Sequence, residues 1–221
     1  MKKTGFTIYA VIMMLFAVSG VFAQQATIQD FAGTVELKRP GSSVWEAAVK
    51  GQALTADTAV STGFGSTALI RAGSTVITVR PLTRLTLSEL IAAAGTESVN
   101  VNLQAGRVRV DVNPPAGTKT NAYVRGPTAV ASVRGTVFEI DTYNLTVIEG
   151  TVEFTGSSGP GVLIDAGRSS FADETTGRAA APAETAIAEL WPEVPIGSDP
   201  IQPSARPESG GGVDLTVTIS F

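Results

Sequence analysis

Short runs in which every second residue is apolar fill the stretch from Gly33 to Phe171. They include Thr34-Val-Glu-Leu37, Thr67-Ala-Leu-Ile70, Thr75-Val-Ile-Thr-Val79, Arg84-Leu-Thr-Leu87, Val99-Asn-Val-Asn-Leu103 and Arg107-Val-Arg-Val-Asp-Val112. A period of two places one side of each run in a core and the other in water, which is the signature of a half-buried strand. Gly, Pro, Asn or Ser separates the runs at roughly 8–12-residue intervals, the spacing of a sandwich, barrel or solenoid. No window in this stretch sustains a helical period; Leu90 to Ala94 is expected to form at most one helical turn. Ile70-Arg-Ala-Gly73, Leu103-Gln-Ala-Gly106, Val147-Ile-Glu-Gly150 and Ile164-Asp-Ala-Gly167 form a weak internal repeat. Its glycine suits the positive φ of a tight corner. The irregular spacing excludes a strict solenoid. The fold expected is all-β: a twisted antiparallel β-sandwich, β-helix-like in its repeated corners, built of many short strands.

Both ends differ from this middle. Lys2 and Lys3 precede an apolar run from Phe6 to Val18, and the segment closes with Val21-Phe-Ala23, the order of a secretory signal peptide. The apolar run is shorter than the roughly 20 residues of a membrane span. Residues 1–23 are therefore expected to be removed, leaving no transmembrane anchor. Residues 24–173 are the β-domain. Residues 174–212 hold Pro182, Pro192, Pro195, Pro200, Pro203, Pro207 and Gly210-Gly-Gly212, the composition of an extended linker, within which Leu190 and Trp191 could dock on the domain. Residues 213–221 form a terminal strand with Val213, Leu215, Val217, Ile219 and Phe221 on one face.

Charge and residue types restrict the chemistry. The 221-residue chain has a net charge of −4 and no basic run longer than Lys38-Arg39, so nucleic acid is not an expected partner. With no His and no Cys, the Ser-His, Cys-His and usual zinc arrangements are missing, and no enzyme activity, cofactor or metal is expected. Gly63-Phe-Gly-Ser-Thr67 lacks the lysine of a phosphate loop.

The stretch that most resembles a site is Val130-Ala-Ser-Val-Arg-Gly-Thr-Val-Phe-Glu-Ile-Asp141. Arg134, helped by Arg125 in the earlier Val124-Arg-Gly126, could clamp an anion; Glu139 and Asp141 could bind a metal. Strand phase favours a structural reading. Phe138 and Ile140 point inward, Glu139 and Asp141 share a solvated face, and Arg134 braces a corner with its guanidinium near the buried side. Arg134→Ala should then cost stability. Asp111, close to Arg107 and Arg109, reads as a member of a cross-strand charge pair.

Several segments, in order, resemble the FecR domain. They are Gly33-Thr-Val35, Lys50-Gly-Gln-Ala-Leu54 after Trp45, Asp57-Thr-Ala-Val-Ser-Thr62, Ala72-Gly-Ser-Thr-Val-Ile-Thr-Val79 with Leu82-Thr-Arg-Leu-Thr-Leu87, and Leu103-Gln-Ala-Gly-Arg-Val108. The most specific is Val124-Arg-Gly-Pro-Thr-Ala-Val-Ala-Ser-Val-Arg-Gly-Thr-Val-Phe138, in which Arg125, Gly126, Arg134, Gly135, Thr136 and Phe138 form the structural motif. The resemblance spans roughly residues 30–172. In the family's name-giving members such a domain is the periplasmic half of a sigma-factor regulator that also has a cytoplasmic anti-sigma segment and a transmembrane helix. Here the expected signal peptide implies a stand-alone exported form, periplasmic or outer-membrane-associated, while the resemblance implies an all-β fold that binds another envelope protein, with no catalysis expected. Two other functions remain open: a regulator of cell-surface signalling acting with a separate membrane or sigma-factor partner, and cell-wall glycan binding through Trp45 and Trp191. The terminal strand Val213–Phe221 resembles the last strand of outer-membrane barrels. It is expected to pair with an edge of its own domain, or else to extend a partner's sheet and give an outer-membrane association.

Overall fold

Alternating sequence becomes alternating burial in most strands of the computed structural model, which describes residues 26–93 and 96–184. The expected signal peptide 1–23, linker residues 185–212 with Trp191, and the strand 213–221 lie outside the described residues. Among the described residues every regular element is a strand, and the strands form two sheets of nine.

The first sheet holds β1 (Ala26–Ala32), β4 (Ala53–Leu54), β6 (Thr67–Ala72), β7 (Thr75–Val79), β10 (Arg107–Val112), β13 (Val137–Asp141), β14 (Asn144–Glu149), β17 (Arg168–Phe171) and β18 (Ala183–Glu184). The second holds β2 (Val35–Lys38), β3 (Glu46–Ala47), β5 (Thr58–Thr62), β8 (Arg84–Ala93), β9 (Thr96–Ala105), β11 (Lys119–Arg125), β12 (Ala129–Val133), β15 (Thr151–Gly156) and β16 (Val162–Asp165). Strand order in the first sheet is β18-β17-β14-β13-β10-β7-β6-β1-β4, and in the second β16-β15-β12-β11-β9-β8-β5-β2-β3. Apart from the edge strands β4 and β3, which lie outside β1 and β2, both sheets advance with the sequence, and neither closes into a barrel.

This shuttling fixes the strand directions. When the chain leaves a sheet for a two-strand hairpin in the other, it returns antiparallel to the strand it left, as β10 does to β7 and β13 does to β10. Between β9 and β11 only the single strand β10 intervenes, so β11 comes back parallel to β9, paired from Lys119↔Thr96 to Arg125↔Asn102. The expected antiparallel sandwich therefore contains one parallel junction. The edge strands β3, β4 and β18 have two residues each and β16 has four, which leaves little open edge for unwanted pairing.

Inward positions merge into one apolar core between the sheets, with Ile28, Leu37, Leu85, Leu103, Phe138 and Phe154 fully buried. Each such side chain contributes roughly 1.5–3 kcal/mol of burial. The four glycines of the repeat take positive φ: 59° at Gly73, 88° at Gly106, 79° at Gly150 and 77° at Gly167. At Gly106 the corner is also too tight for a side chain, because a Cβ would collide with the backbone and side chain of Thr83. Thr83 Oγ1 accepts from Arg107 N and donates to Arg107 O, both at 3.0 Å, and so fastens that corner.

Two expectations change. Leu90 to Ala94 forms no helical turn: Leu90–Ala93 extend β8 and pair with β9. A bulge between Leu87 and Glu89 explains the misreading, because Ser88 and Glu89 both lie on the outer side and interrupt the period of two. Beyond Asp173 the chain keeps to the first sheet, through the Ala172↔Ala179 bridge and the β17–β18 pair, as far as Glu184.

Candidate functional site

The Val130–Asp141 stretch is a crossing between the sheets. Val133 ends β12 buried, Gly135 turns at φ 66°, Thr136 is buried, and Phe138 and Ile140 enter the core from β13. Thr136 O accepts Val112 N at 2.9 Å, which ties the crossing to β10. Arg134 stands on the outside of this turn and is exposed, so its guanidinium is not the buried corner brace expected. The interior of the corner is filled by Val133 and Thr136, and the cation points to water. Nor do the two arginines form a clamp. Arg125 faces Val130 at one end of the β11–β12 hairpin, whereas Arg134 follows Val133 at the other, about 13 Å further along the strand. Gly126, half-buried, turns the first end and donates its N–H to Ala129 O at 2.8 Å.

The carboxylates differ from expectation too. Glu139 does point to the outer side of the first sheet, but it is 6% exposed and its Oε1 lies 2.5 Å from Nη2 of Arg80, itself 4% exposed. A buried ion pair replaces the solvated face. Asp141 meets Arg107 of β10 at 2.8 Å, so the cross-strand charge pair belongs to that couple. Asp111 instead meets Arg109 two residues away on its own strand, at 3.3 Å. Burial pushes the Asp141 carboxyl up, but the N–H groups of Tyr143 and Asn144 and the Arg107 guanidinium together hold it below the usual carboxylate range. Among the described residues no three acidic side chains gather as a metal site would require.

An open polar groove lies on the outer side of the second sheet, over the parallel junction. It measures about 660 Å³ and is lined by Ser88 and Glu89 of β8, Asn100, Val101 and Asn102 of β9, Tyr123 and Arg125 of β11, and Val130 of β12. Each contributor has a local cause. The β8 bulge brings Ser88 and Glu89 to the same side, where the Asn100 amide donates to Glu89 and Ser88 Oγ donates to Asn100 O at 3.2 Å. The parallel register sets Asn100 beside Tyr123 and Asn102 beside Arg125. Tyr123 is 40% exposed and Arg125 is exposed; Asn100 Oδ1 is buried and has no hydrogen-bond donor among the described residues. An aromatic ring, a cation and amide groups thus line one concavity. Trp45 lies elsewhere, with Lys38 at 5.2 Å and Arg84 at 5.4 Å from its ring.

Sequence reasoning had Arg125 but missed Glu89, Asn100, Asn102 and Tyr123 as neighbours, and missed Arg80 altogether. The outward phase of Val99-Asn-Val-Asn-Leu103 and of Tyr123-Val-Arg125 was legible; the pairing of β9 with β11 was not.

The architecture defines an all-β, two-sheet domain in which the chain passes repeatedly from one sheet to the other. Residues 58–153, from β5 into β15, match the family model described as FecR protein. The groove lies within the matched residues. Two crystal structures of a candidate anti-sigma factor from Parabacteroides distasonis are similar to the chain, with 16% and 15% identity and TM-scores of 0.46 and 0.45. In each case 57% of this chain is covered, and the match spans 59% of that protein. No curated protein matches the chain. Among the described residues no helix is long and apolar enough to cross a membrane.

Proposed function

We propose that the chain is an exported, non-catalytic binding module with a role in cell-surface signalling, and that it contacts another envelope protein through the groove of the second sheet. The observation that carries this reading is Tyr123 and Arg125 side by side in an open concavity inside the stretch that matches the FecR model. Tyr and Arg are the residue types that most often supply binding energy at protein interfaces. The terminal strand Val213–Phe221 is proposed as a second contact, by addition to the edge of a partner's sheet or by outer-membrane association.

The test is crosslinking and affinity capture from the cell envelope with the full chain, Tyr123→Ala, Arg125→Ala and the distant surface variant Val44→Ser. The reading expects one partner band that weakens tenfold or more with either groove variant, about 1.4 kcal/mol or above, and is unchanged with Val44→Ser. A partner retained equally by all four proteins would refute the groove as its site. A second reading, cell-wall glycan binding, is favoured by the Tyr123 ring lying among Asn100, Asn102, Glu89 and Arg125. Sedimentation with purified cell wall decides it: retention that Tyr123→Ala abolishes supports the glycan reading, and no retention removes it.

A further inference from the structure

Among the described residues Phe64 is the large apolar side chain most in water, 91% exposed, and Leu82 is 63% exposed. Both stand at the end of the sandwich where β1, β5, β7 and β9 cross to the other sheet. They are neighbours, because Leu82 N donates to Gly63 O at 3.2 Å. Leu82 also takes φ 54°, a left-handed backbone that a bulky residue adopts only under strain. Glycine or asparagine fits such a position more easily, and burial does not offset the strain of a leucine that points to water. The platform beneath is fastened by buried hydroxyls. Ser66 Oγ accepts Thr34 N at 2.8 Å and donates to Phe64 O at 3.2 Å. Thr62 Oγ1 donates to Arg80 O at 2.6 Å and accepts Thr83 N at 3.0 Å. The tip is therefore rigid, and it is almost free of charge. The crossings Gly33-Thr34, Gly63-Phe-Gly-Ser66, Arg80-Pro-Leu-Thr83 and Gly106 hold one charge, Arg80, which is buried on Glu139. The hairpin loops Gly126-Pro-Thr128 and Thr142-Tyr143 at the same end hold none. Loops at the opposite end expose Arg39, Asp57 and Arg134.

We propose that this end is a membrane-docking tip, and that Phe64 and Leu82 insert into the boundary between headgroups and acyl chains of an electrically neutral bilayer. Three observations select lipid over a folded partner. The first is area. The two side chains offer roughly 300 Å² of apolar surface, about half of what one partner contributes to the smallest specific protein interfaces. A projection of that size is too small to hold a second copy or another protein, whereas a bilayer deforms around it. The second is charge. Loops without charged groups approach hydrocarbon at little cost, and a chain of net charge −4 gains nothing from anionic headgroups. Asp173, Glu174 and Arg178 lie beyond β17, five strands from β6, about 24 Å away. The third is backbone satisfaction. Thr34 N and O, Gly63 N and O, Phe64 O and Leu82 N all have partners inside the protein, as groups leaving water for lipid require. The inference goes beyond the groove, which opens on the outer side of the second sheet, and does not depend on it.

Flotation of the full chain with phosphatidylcholine vesicles, and in parallel with vesicles containing anionic phosphatidylglycerol, tests this. Comparable binding to both is expected, unweakened by about 1 M NaCl. Phe64→Ser and Leu82→Asn should each lower the affinity about tenfold, and the double variant about a hundredfold. Leu82→Asn relieves backbone strain, so its thermal midpoint should equal or exceed the parent's, and a folding defect cannot imitate the loss. The chain has no Cys, so Phe64→Cys can carry a single environment-sensitive dye. Its emission should shift to the blue on addition of phosphatidylcholine vesicles, while the same dye at Arg134→Cys, at the opposite end, should not respond. Four results would each overturn the proposal: a parent that does not float, binding confined to phosphatidylglycerol vesicles and abolished by salt, binding kept by the double variant and so owed to another part of the chain, or a dye shift that needs no vesicles and fades on dilution, which would assign the tip to a second copy.

Discussion

Replacing Glu139 by Leu removes the carboxylate that neutralises Arg80 and keeps most of the side-chain volume, so the charge effect dominates. Arg80 Nη2 lies 2.5 Å from Glu139 Oε1, and both side chains are nearly inaccessible. Breaking a buried pair from one side costs about 3–5 kcal/mol, because the surviving charge stays desolvated. Whole domains are stable by only about 5–15 kcal/mol, so about a fifth or more of the total is at stake. With a urea dependence of about 2 kcal/mol per molar, the midpoint of Glu139→Leu should fall by about 2 M, at unchanged slope. Arg80→Met/Glu139→Leu removes both charges and should recover to within about 1 kcal/mol of the parent or surpass it. The assay is equilibrium urea unfolding at 25 °C, completed as a double-mutant cycle. A cost under about 1 kcal/mol for Glu139→Leu would mean that water reaches the pair, and the desolvation argument would fail.

Gly106→Ala forces a side chain into φ 88° and against Thr83, so it should cost about 3 kcal/mol or abolish folding; thermal unfolding checks this, with Gly117→Ala, where a Cβ meets nothing, as a milder comparison at similar φ. Arg134 is exposed at its turn, so Arg134→Ala should change stability by no more than about 0.5 kcal/mol by urea midpoint. The folded-state pKa of Asp141 lies below its unfolded value, so its contribution is complete above about pH 4 and is lost as pH falls through the lowered folded value. Unfolding midpoints measured from pH 7 to pH 2.5 should therefore fall more steeply in that acid range for the parent than for Asp141→Asn.

Local chemistry told the strands apart. Period-two runs and positive-φ glycines depend on near neighbours alone, which is why Phe138 and Ile140 were placed inward and the corners at Gly73, Gly106, Gly150 and Gly167 were legible. Pairing across the molecule depends on how many strands intervene in the other sheet. Nothing within Val99–Leu103 or Lys119–Arg125 states that β10 crosses alone between them, and the groove depends on that crossing. The burial of Arg80 escaped for the same reason. Arg80 follows the last residue of the Thr75–Val79 run, and its partner Glu139 is 59 residues away. Arg134 was misjudged because a residue at a crossing belongs to neither sheet's phase, and strand alternation has no authority there.

The two outer sides of this sandwich are chemically unlike, and that asymmetry bears on how a partner could approach. On the first sheet the charges already answer one another: Arg80 with Glu139, Arg107 with Asp141, Arg109 with Asp111. A partner landing there would have to replace satisfied pairs, and desolvating a charge without better compensation is costly. On the second sheet the Arg125 head is exposed, and Tyr123 offers a ring that is still partly in water. A partner covering these two groups loses little existing contact and gains apolar burial with a charge-assisted bond. Occupancy of the groove therefore has the lower energetic threshold. Variants of Tyr123 and Arg125 should weaken association without loosening the fold, whereas variants of Arg80 and Glu139 should do the reverse.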